Sequence, residues 1–163
     1  RVRRQRQMCI RDRFETGGDI LTPENREKYK QLKIMDITQW LKEVVLPRIK
    51  VIRPKNRILL HPTCSCQIMG LTPVLLDIAR KCAREVILPD NWGCCGASGD
   101  RGFIFPELSD SATRDERDEI GHESFDGCYS LARTCEIAMQ DHIEQPYESI
   151  VYLVDETIQD QGT

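Results

Sequence analysis

Arg57-Ile58-Leu59-Leu60-His61 is a short apolar run that lies between Pro54 and Pro62. An apolar run that proline stops at both ends predicts a buried strand. A second such run, Val86-Ile87-Leu88, ends at Pro89. Between the two runs, residues 73–84 favour a helix because Leu75, Ile78, Ala79 and Cys82 recur at helical spacing on one face.

Further elements alternate between helix and strand along the rest of the chain. Thr22-Pro23 is typical of a helix start, and Asp36 is expected to cap a helix over residues 37–46 that Pro47 stops. The later pattern predicts these elements: a charged helix over 106–120, a strand over 127–130, a helix over 134–142, a strand over 149–152 and a helix over 153–159. We therefore expect an α/β fold, a layered sheet with flanking helices and with its functional loops at the carboxyl ends of the strands.

Composition narrows the functional class. The chain has 163 residues and 40% hydrophobic content, which suits one domain with a core. No run of apolar residues is long enough for a transmembrane segment, and no secretory signal is visible. The formal net charge of -3 gives no general case for nucleic-acid binding. Eight cysteines are too few for a small disulfide scaffold, so metal or redox chemistry is the better starting hypothesis.

Residues 1–13 differ in character from the rest of the sequence. They contain six arginines and one aspartate, and Met8 to Arg13 matches the translation of a common sequencing-adapter end. We interpret residues 1–13 as a read-through artefact rather than as a basic nucleic-acid-binding arm, and we expect the genuine chain to be a fragment that begins at Phe14. Residues 14–50 are interpreted as a helical lead-in and residues 51–163 as the main domain. Without the artefact, 17 basic and 25 acidic residues give a charge of -8.

Four cysteines lie where a buried core position is not the obvious explanation. Cys64 follows the first apolar run, Cys94 and Cys95 are adjacent between Gly93 and Gly96, and Cys135 lies at the start of a predicted helix. Because 29 residues separate Cys64 from Cys94 and 39 separate Cys95 from Cys135, only the fold can bring these thiols together. Cys82 is expected in the core, whereas Cys66 and Cys128 remain possible spare ligands.

Adjacent cysteines rarely bridge to each other, but both can bind one multi-iron cluster if the backbone bends. Gly93 and Gly96 are expected to provide that bend, and the nearby N–H groups are expected to donate hydrogen bonds to sulfur. Zinc remains an alternative, although the paired C-x-x-C clips of zinc ribbons are absent. Disulfides or inert thiols are a further alternative.

The cysteines belong to an ordered set of motifs that resembles the cysteine-rich CCG domain. That domain occurs in heterodisulfide reductases, in the iron–sulfur component of glycolate oxidases and in anaerobic glycerol-3-phosphate dehydrogenases. The resemblance is closer to the carboxyl-terminal part of FAD-linked, iron–sulfur D-lactate dehydrogenases of the cytochrome type. The strings that carry it, within about residues 22–157, are His61-Pro62-Thr63-Cys64-Ser65, Met69-Gly70-Leu71, Trp92-Gly93-Cys94-Cys95-Gly96, Gly99-Asp100-Arg101-Gly102-Phe103, Pro106-Glu107-Leu108, Ser111-Ala112-Thr113 and Arg133-Thr134-Cys135-Glu136-Ile137.

The resemblance implies that residues 51–163 are a CCG iron–sulfur domain, which transfers electrons within an oxidoreductase. Cys64, Cys94, Cys95 and Cys135 would bind a 4Fe-4S cluster, and no residue here would act on the substrate. Missing flavin and ferredoxin-like domains would oxidise a D-2-hydroxy acid at FAD, and electrons would leave to a quinone or cytochrome. The fragment alone is expected to be inactive as a dehydrogenase and to be cytoplasmic, with peripheral contact at the inner face of the membrane. A glycolate or 2-hydroxyglutarate oxidase is an open alternative, because the missing flavin domain would select the substrate.

The sequence departs from the family pattern at one ligand position. The full CCG pattern ends in C-x-x-C, but Ala132 replaces the first of these two cysteines. Four thiols suit a cubane 4Fe-4S cluster, so the resemblance leaves a non-cubane cluster in doubt.

Two further features have competing interpretations. His61 either forms a hydrogen bond to a cluster sulfide or simply packs at the strand end with bonds to the backbone. Residues 114–119 are expected to form a solvated helix face, with a docking face for the missing domains as the alternative.

Overall fold

The computed structural model describes residues 17–33 and 35–159, so the expected artefact over residues 1–13 lies outside the described residues. The chain divides into two compact units, the first ending at Asp36 and the second beginning at Ile37. The expected boundary between residues 50 and 51 remains a prediction.

The first unit contains a short 3-10 turn, Gly18–Ile20, and the helix α1, Pro23–Lys30. Thr22 is the N-cap and Pro23 the first helical residue, as the sequence predicts. None of the residues of α1 is buried, and the Arg26 guanidinium donates a hydrogen bond to the Gly18 carbonyl at 2.8 Å. This unit therefore contributes no core of its own within the described residues.

The second unit begins with α2, Ile37–Trp40, which starts where the sequence predicts. The helix continues as a π-helical stretch, Leu41–Val45, and a 3-10 turn, Leu46–Arg48, so the predicted regular helix over 37–46 is wrong in its second half. The changes in helical pitch accompany burial of Leu41 and Leu46 in the core.

A parallel four-stranded sheet forms the centre of the second unit. Its strands are β2 (Lys55–Leu60), β3 (Ala83–Ile87), β4 (Gly127–Ser130) and β5 (Tyr147–Ser149), in the order β3-β2-β4-β5. The pairs β2–β3, β2–β4 and β4–β5 are all parallel. Two short antiparallel strands, β1 (Lys50–Val51) and β6 (Ile158–Gln159), pair separately. The expectation of an α/β fold is confirmed.

Helices connect the parallel strands. After β2 come α3 (Cys64–Ile68) and α4 (Thr72–Cys82), and after β3 come α5 (Arg101–Ile104) and α6 (Pro106–Ile120). After β4 comes α7 (Arg133–Ile143), and after β5 comes α8 (Ile150–Thr157). Because β2 is followed in sequence by β3 on one side and then by β4 on the other, the strand order reverses between β2 and β4. In open α/β sheets, ligands bind outside the carboxyl ends of the strands at such a reversal.

Two cores lie on opposite faces of the sheet because side chains alternate along β2. Ile58 and Leu60 contribute to a core that also contains apolar residues of α4 and α8, whereas Leu59 contributes to a core that contains residues of α7. All three are fully buried. The predicted face of α4 is confirmed, because its buried residues are Leu75, Ile78, Ala79 and Cys82.

The sequence prediction is wrong near the carboxyl end. Residues 149–152 are expected to form a strand, but the strand β5 is Tyr147–Ser149 and the helix α8 begins at Ile150. The Ser149 hydroxyl accepts a hydrogen bond from the Val151 N–H, which ends the strand and begins the helix. Four residues of α8 at helical spacing are buried: Ile150, Leu153, Val154 and Thr157. A four-residue apolar run does not distinguish strand from helix.

None of the described helices combines the length and the apolar character that a membrane crossing requires.

Candidate metal centre

The four predicted thiols lie in three segments that follow three parallel strands. Cys64 is the first residue of α3, four positions after β2. Cys94 and Cys95 lie in the irregular segment between β3 and α5, and Cys135 lies in the first turn of α7 after β4. Since the carboxyl ends of parallel strands meet at one edge of a sheet, all three segments begin at that edge.

The thiols contact one another in a continuous series. Cys64 and Cys94 share a hydrogen bond, Cys94 shares another with Cys95, and the Cys95 thiol donates to the Cys135 sulfur at an Sγ–Sγ distance of 2.8 Å. A disulfide bond measures about 2.05 Å, so these two sulfurs are not bonded, and none of the four cysteines forms a disulfide. The fold thus brings together the four thiols that the sequence singles out.

Hydrogen bonding shifts the pKa values of the two adjacent cysteines in opposite directions. The hydrogen bond from Cys64, followed by that from Cys95, lowers the pKa of the Cys94 thiol to about 2, and the Gly96 N–H also contributes. The hydrogen bonds to Cys135 and Cys94, followed by burial, raise the pKa of Cys95. The site therefore favours negative charge on the exposed sulfur of Cys94 and disfavours it on the buried sulfur of Cys95.

Gly96 shapes the loop that carries the adjacent cysteines. Its φ is +73°, and a Cβ atom there would lie 2.6 Å from the carbonyl oxygen of Leu108 and 2.6 Å from the Cα of Ser109. Only glycine fits this bend and this close approach to α6. The bend directs two successive N–H groups at sulfur, since the Gly96 N–H lies 3.5 Å from the Cys94 Sγ and the Ala97 N–H bonds Cys95.

The expected role of Gly93 is wrong. Gly93 is not among the glycines with positive φ, and a Cβ atom at this position would meet nothing within 4 Å. The bend comes instead from Gly96 together with Ser98 and Gly99, whose φ angles are 45° and 85°.

A buried polar pair lies next to the thiols. His61 follows β2 directly and is 0% exposed, and its Nδ1 lies 2.9 Å and 3.1 Å from the two carboxylate oxygens of Glu116. Glu116 is itself 2% exposed. The Nε2 atom of His61 is buried and has no hydrogen-bond partner among the described residues.

Sequence reasoning missed Glu116, because residues 114–119 are expected to form a solvated face. The structure corrects this for Glu116, which belongs to a buried stripe of α6 formed by Ser109, Thr113, Glu116 and Ile120. The spacing of these residues, counted back from Ile120, is the signal that could have identified Glu116 as buried.

The remaining cysteines divide between the two cores. Cys66 and Cys82 are buried in the core that contains Ile58 and Leu60. Cys128 is buried in the core that contains Cys95 and Cys135, and burial raises its pKa to about 12. Cys82 is thus in the core, as expected, and of the two spare candidates only Cys128 shares a core with the predicted ligands.

Thiolates are ligands that both zinc sites and iron–sulfur clusters use. Among residues 17–33 and 35–159, no group of three or more His, Cys, Asp or Glu side chains could hold a metal ion. A zinc ion needs its sulfur ligands to converge at about 2.3 Å from one point, whereas a multi-iron cluster takes one thiolate at each of several iron atoms. The site therefore offers four thiols that form no disulfide, with N–H donors beside two of the sulfurs.

Comparison of the chain with protein-family models, with curated proteins and with solved structures finds no match, so the likeness to the CCG domain depends on the motifs alone.

Proposed function

We propose that this chain is an iron–sulfur electron-transfer domain of a flavin-linked D-2-hydroxy acid dehydrogenase. The observation that carries the proposal is the continuous contact of Cys64, Cys94, Cys95 and Cys135 at the carboxyl edge of the sheet. These residues come from three segments far apart in sequence, and the fold brings them together. A multi-iron cluster takes one thiolate at each of several iron atoms, so it can use four thiols that lie side by side.

The position of the array supports the proposal. Cys64 follows β2 and Cys135 follows β4, the two strands between which the strand order reverses. This is the place where α/β sheets bind ligands. The adjacent cysteines come from the loop after β3, so segments that follow three neighbouring strands contribute.

When bound, a 4Fe-4S cluster supplies one-electron chemistry. The chain's own residues would bind it through the four thiolates, with Gly96 and Ala97 N–H groups placed at the sulfurs. Burial of Cys95 and Cys135 would keep water from one side, whereas the exposed Cys94 leaves a short path to the protein surface. An electron relay at the edge of a domain requires a site that is buried on one side and open to the protein surface on the other.

The proposal extends to the enzyme that contains this domain. Flavin and ferredoxin-like domains would oxidise D-lactate or a related acid at FAD and pass electrons through this domain to a quinone or cytochrome. We propose a cytoplasmic location, with peripheral contact at the inner membrane face through the acceptor. Glycolate and 2-hydroxyglutarate oxidases are alternatives that use the same module.

The second candidate is a structural thiol site that binds zinc or no metal. The short Cys95–Cys135 distance favours it, because two sulfurs on one tetrahedral zinc ion lie closer together than two sulfurs on different iron atoms. The two candidates differ in sulfide content and in redox activity.

The test is anaerobic purification of the full chain, reconstitution with iron and sulfide, and quantification of iron, sulfide and zinc. We expect about four irons and four sulfides per chain and a visible absorption that dithionite bleaches. Photoreduced flavin mononucleotide should reduce the chain, and a soluble quinone should reoxidise it. Cys94→Ser and Cys135→Ser should each lose most of the iron and sulfide. Cys82→Ser is the matched control, because it removes a buried thiol of the opposite core, and it should retain both.

Two results would overturn the proposal. One is stoichiometric zinc without sulfide that survives reconstitution, which favours the structural site. The other is a chain that takes up no iron and sulfide although it is folded by circular dichroism.

A further inference from the structure

The closest contact in the row of thiols joins Cys95 and Cys135, whose sulfurs lie 2.8 Å apart. Carbon atoms in van der Waals contact pack best at about 3.5–4.0 Å, and sulfur is the larger atom, so this contact is closer than ordinary packing. A disulfide of about 2.05 Å would need the two sulfurs to approach by only about 0.8 Å. The fold therefore brings this pair to within a short side-chain movement of a covalent bond.

The surroundings of the pair hold the two sulfurs together. Cys95 and Cys135 are 2% and 5% exposed, and both belong to the core that contains Leu59. Cys135 is fixed by the first turn of α7, and Cys95 by the bend at Gly96, which packs against the backbone of α6. A bond between these sulfurs would therefore be shielded from reducing thiols in solution.

Two other pairings compete at this edge of the sheet. Cys94 and Cys95 are adjacent in sequence, and a bridge between adjacent cysteines is strained. Cys64 shares a hydrogen bond with Cys94, but Cys94 is exposed, so a disulfide there would be open to reduction. The buried pair is thus the one in which a disulfide would last.

We propose that Cys95 and Cys135 are a redox-active dithiol that a low-molecular-weight disulfide, such as oxidised glutathione, converts into an intramolecular disulfide. One protein sulfur attacks the reagent and releases one reagent thiol, and the second protein sulfur then displaces the other. The two protein thiols lose two electrons and two protons, and the reagent disulfide is reduced to two thiols. This inference goes beyond the proposed function, because it concerns the chain without metal.

The disulfide would change both the site and the stability of the chain. Only a deprotonated thiol binds metal, so an oxidised chain would keep two of the four proposed ligands and lose the other two. The bond would also join segments 40 residues apart, from the loop after β3 to α7. Such a cross-link restricts the unfolded chain, so the oxidised form should resist urea better than the reduced form.

The test refolds the full chain from urea in glutathione redox buffers that contain a metal chelator. Refolding gives the reagent access to sulfurs that are buried in the folded chain. The remaining thiols are blocked with N-ethylmaleimide, and the chain is digested with trypsin and analysed by mass spectrometry without reduction. Cleavage after lysine and arginine places the relevant cysteines in four peptides, 58–80, 85–101, 118–133 and 134–163.

We expect a link between peptides 85–101 and 134–163 to be the most abundant one in the oxidised chain. Cys95→Ser and Cys135→Ser should each lose this link, whereas Cys94→Ser, which changes the other cysteine of the same peptide, should retain it. Cys128→Ser is the matched control, because it removes a third buried thiol of the same core, and it should also retain the link.

Urea unfolding followed by circular dichroism gives a second measurement on the same samples. The oxidised unaltered chain should unfold at a higher urea concentration than the reduced one. Cys95→Ser should show no such rise, and Cys128→Ser should show the full rise. The identity of the link in the unaltered chain does not depend on any variant folding.

Three results would overturn this inference. The first is a folded, unaltered chain in which peptides 85–101 and 134–163 stay unlinked under oxidising conditions. The second is a link that persists in Cys95→Ser but disappears in Cys94→Ser, because Cys94 would then be the partner of Cys135. The third is a predominant link between peptides 58–80 and 85–101, which would assign the disulfide to the exposed pair.

The outcomes separate this inference from the proposed function. A reduced chain that takes up no iron and sulfide, but forms the expected link on oxidation, contradicts the proposed function alone. A reduced chain that takes up both, but forms no link when it is refolded without metal, contradicts this inference alone.

Discussion

Gly96 shows how one residue determines the shape of the candidate site. The left-handed backbone there turns the chain back over α6, and the backbone of Leu108 and Ser109 fills the space that a side chain would need. The same turn points the Gly96 and Ala97 N–H groups at the sulfurs of Cys94 and Cys95. Gly93, which lies on the other side of the two cysteines, has no such constraint.

The first prediction follows from this contrast between the two glycines. Gly96→Ala should destabilise the chain by about 1–3 kcal/mol, because alanine would have to adopt a strained φ and its Cβ would overlap backbone atoms. Gly93→Ala is the matched control and should change the free energy of unfolding by less than about 0.5 kcal/mol. Urea unfolding followed by circular dichroism measures both. Equal effects at the two positions would contradict the assigned loop geometry.

The sequence predicted the thiols of the site but not their polar neighbour. Cys64, Cys94, Cys95 and Cys135 were identifiable because cysteines beside glycines and after strands are unusual. Glu116 was not, because it lies in a run of charged residues, and the other five residues of 114–119 are at least partly exposed. Its burial depends on which face of α6 packs on the sheet. A carboxylate can be buried there because the imidazole of His61 pairs with it.

At the scale of elements, helices were predicted better than the short terminal strand. The bounds of α6 agree with the prediction over residues 106–120, because Pro106 begins it and Gly121 follows its last residue. Residues 149–152 were assigned to a strand because four residues are too few to show a period of 3.6. Tertiary packing resolves the ambiguity in favour of a helix, whose buried residues face α4 in the same core.

The second prediction tests that α8 is a helix. Leu153 is 0% exposed and Tyr152 is 56% exposed. Leu153→Ala should therefore destabilise the chain by about 2–5 kcal/mol, and Tyr152→Ala should cost about 0.5 kcal/mol or less. Chemical unfolding of the two variants under the same conditions makes the comparison. A larger loss for Tyr152→Ala would mean that the opposite face of this segment is buried.

The third prediction concerns how α6 holds the loop after β3. The Glu119 carboxylate accepts hydrogen bonds from the N–H groups of Asn91 and Asp90 at 2.8 Å and 2.7 Å, and these bonds lower its pKa from the ordinary value of 4.5. Because the pKa is lower in the folded chain, this group adds stability above pH 4.5, and that stability is lost as the pH falls through the lowered value.

Glu119→Gln should therefore be less stable than the unaltered chain at pH 7, and the difference should shrink below pH 4.5. Thermal unfolding between pH 3 and pH 7, a range of about four units around an ordinary carboxyl pKa, measures it. Asp115→Asn, at an exposed position of the same helix, is the control and should show a smaller difference. A difference that grows on acidification would contradict the assigned hydrogen bonds.

At the scale of the whole second unit, the α/β class followed from the sequence but the strand order did not. Apolar runs predict β2 and β3, and the later pattern predicts β4, yet no local feature of the sequence indicates that β4 pairs with β2 rather than with β3. Parallel pairing is decided by contacts between segments that are distant in sequence, such as Leu59 with Cys128. The reversal of strand order, which places Cys64 near Cys135, was therefore visible only in the structure.

The fourth prediction is a coupling between binding of the proposed cluster and stability. A group that binds only the folded chain raises its stability, and the proposed ligands come from three segments at the sheet edge. Reconstitution with iron and sulfide should raise the temperature of thermal unfolding, and anaerobic chelation of iron should reverse the rise. The Cys135→Ser variant is the control and should show no rise. An equal rise in that variant would indicate binding of iron elsewhere.

The wide separation of the thiols along the chain has a consequence for biosynthesis. During translation, Cys64, Cys94 and Cys95 leave the ribosome before the strand β4 and the first turn of α7 exist. The set is complete only after Cys135 has emerged and β4 has paired with β2, a slow, non-local step. A nascent chain up to that length presents an incomplete set of the proposed ligands, so insertion of the proposed cluster would have to wait until Cys135 has emerged.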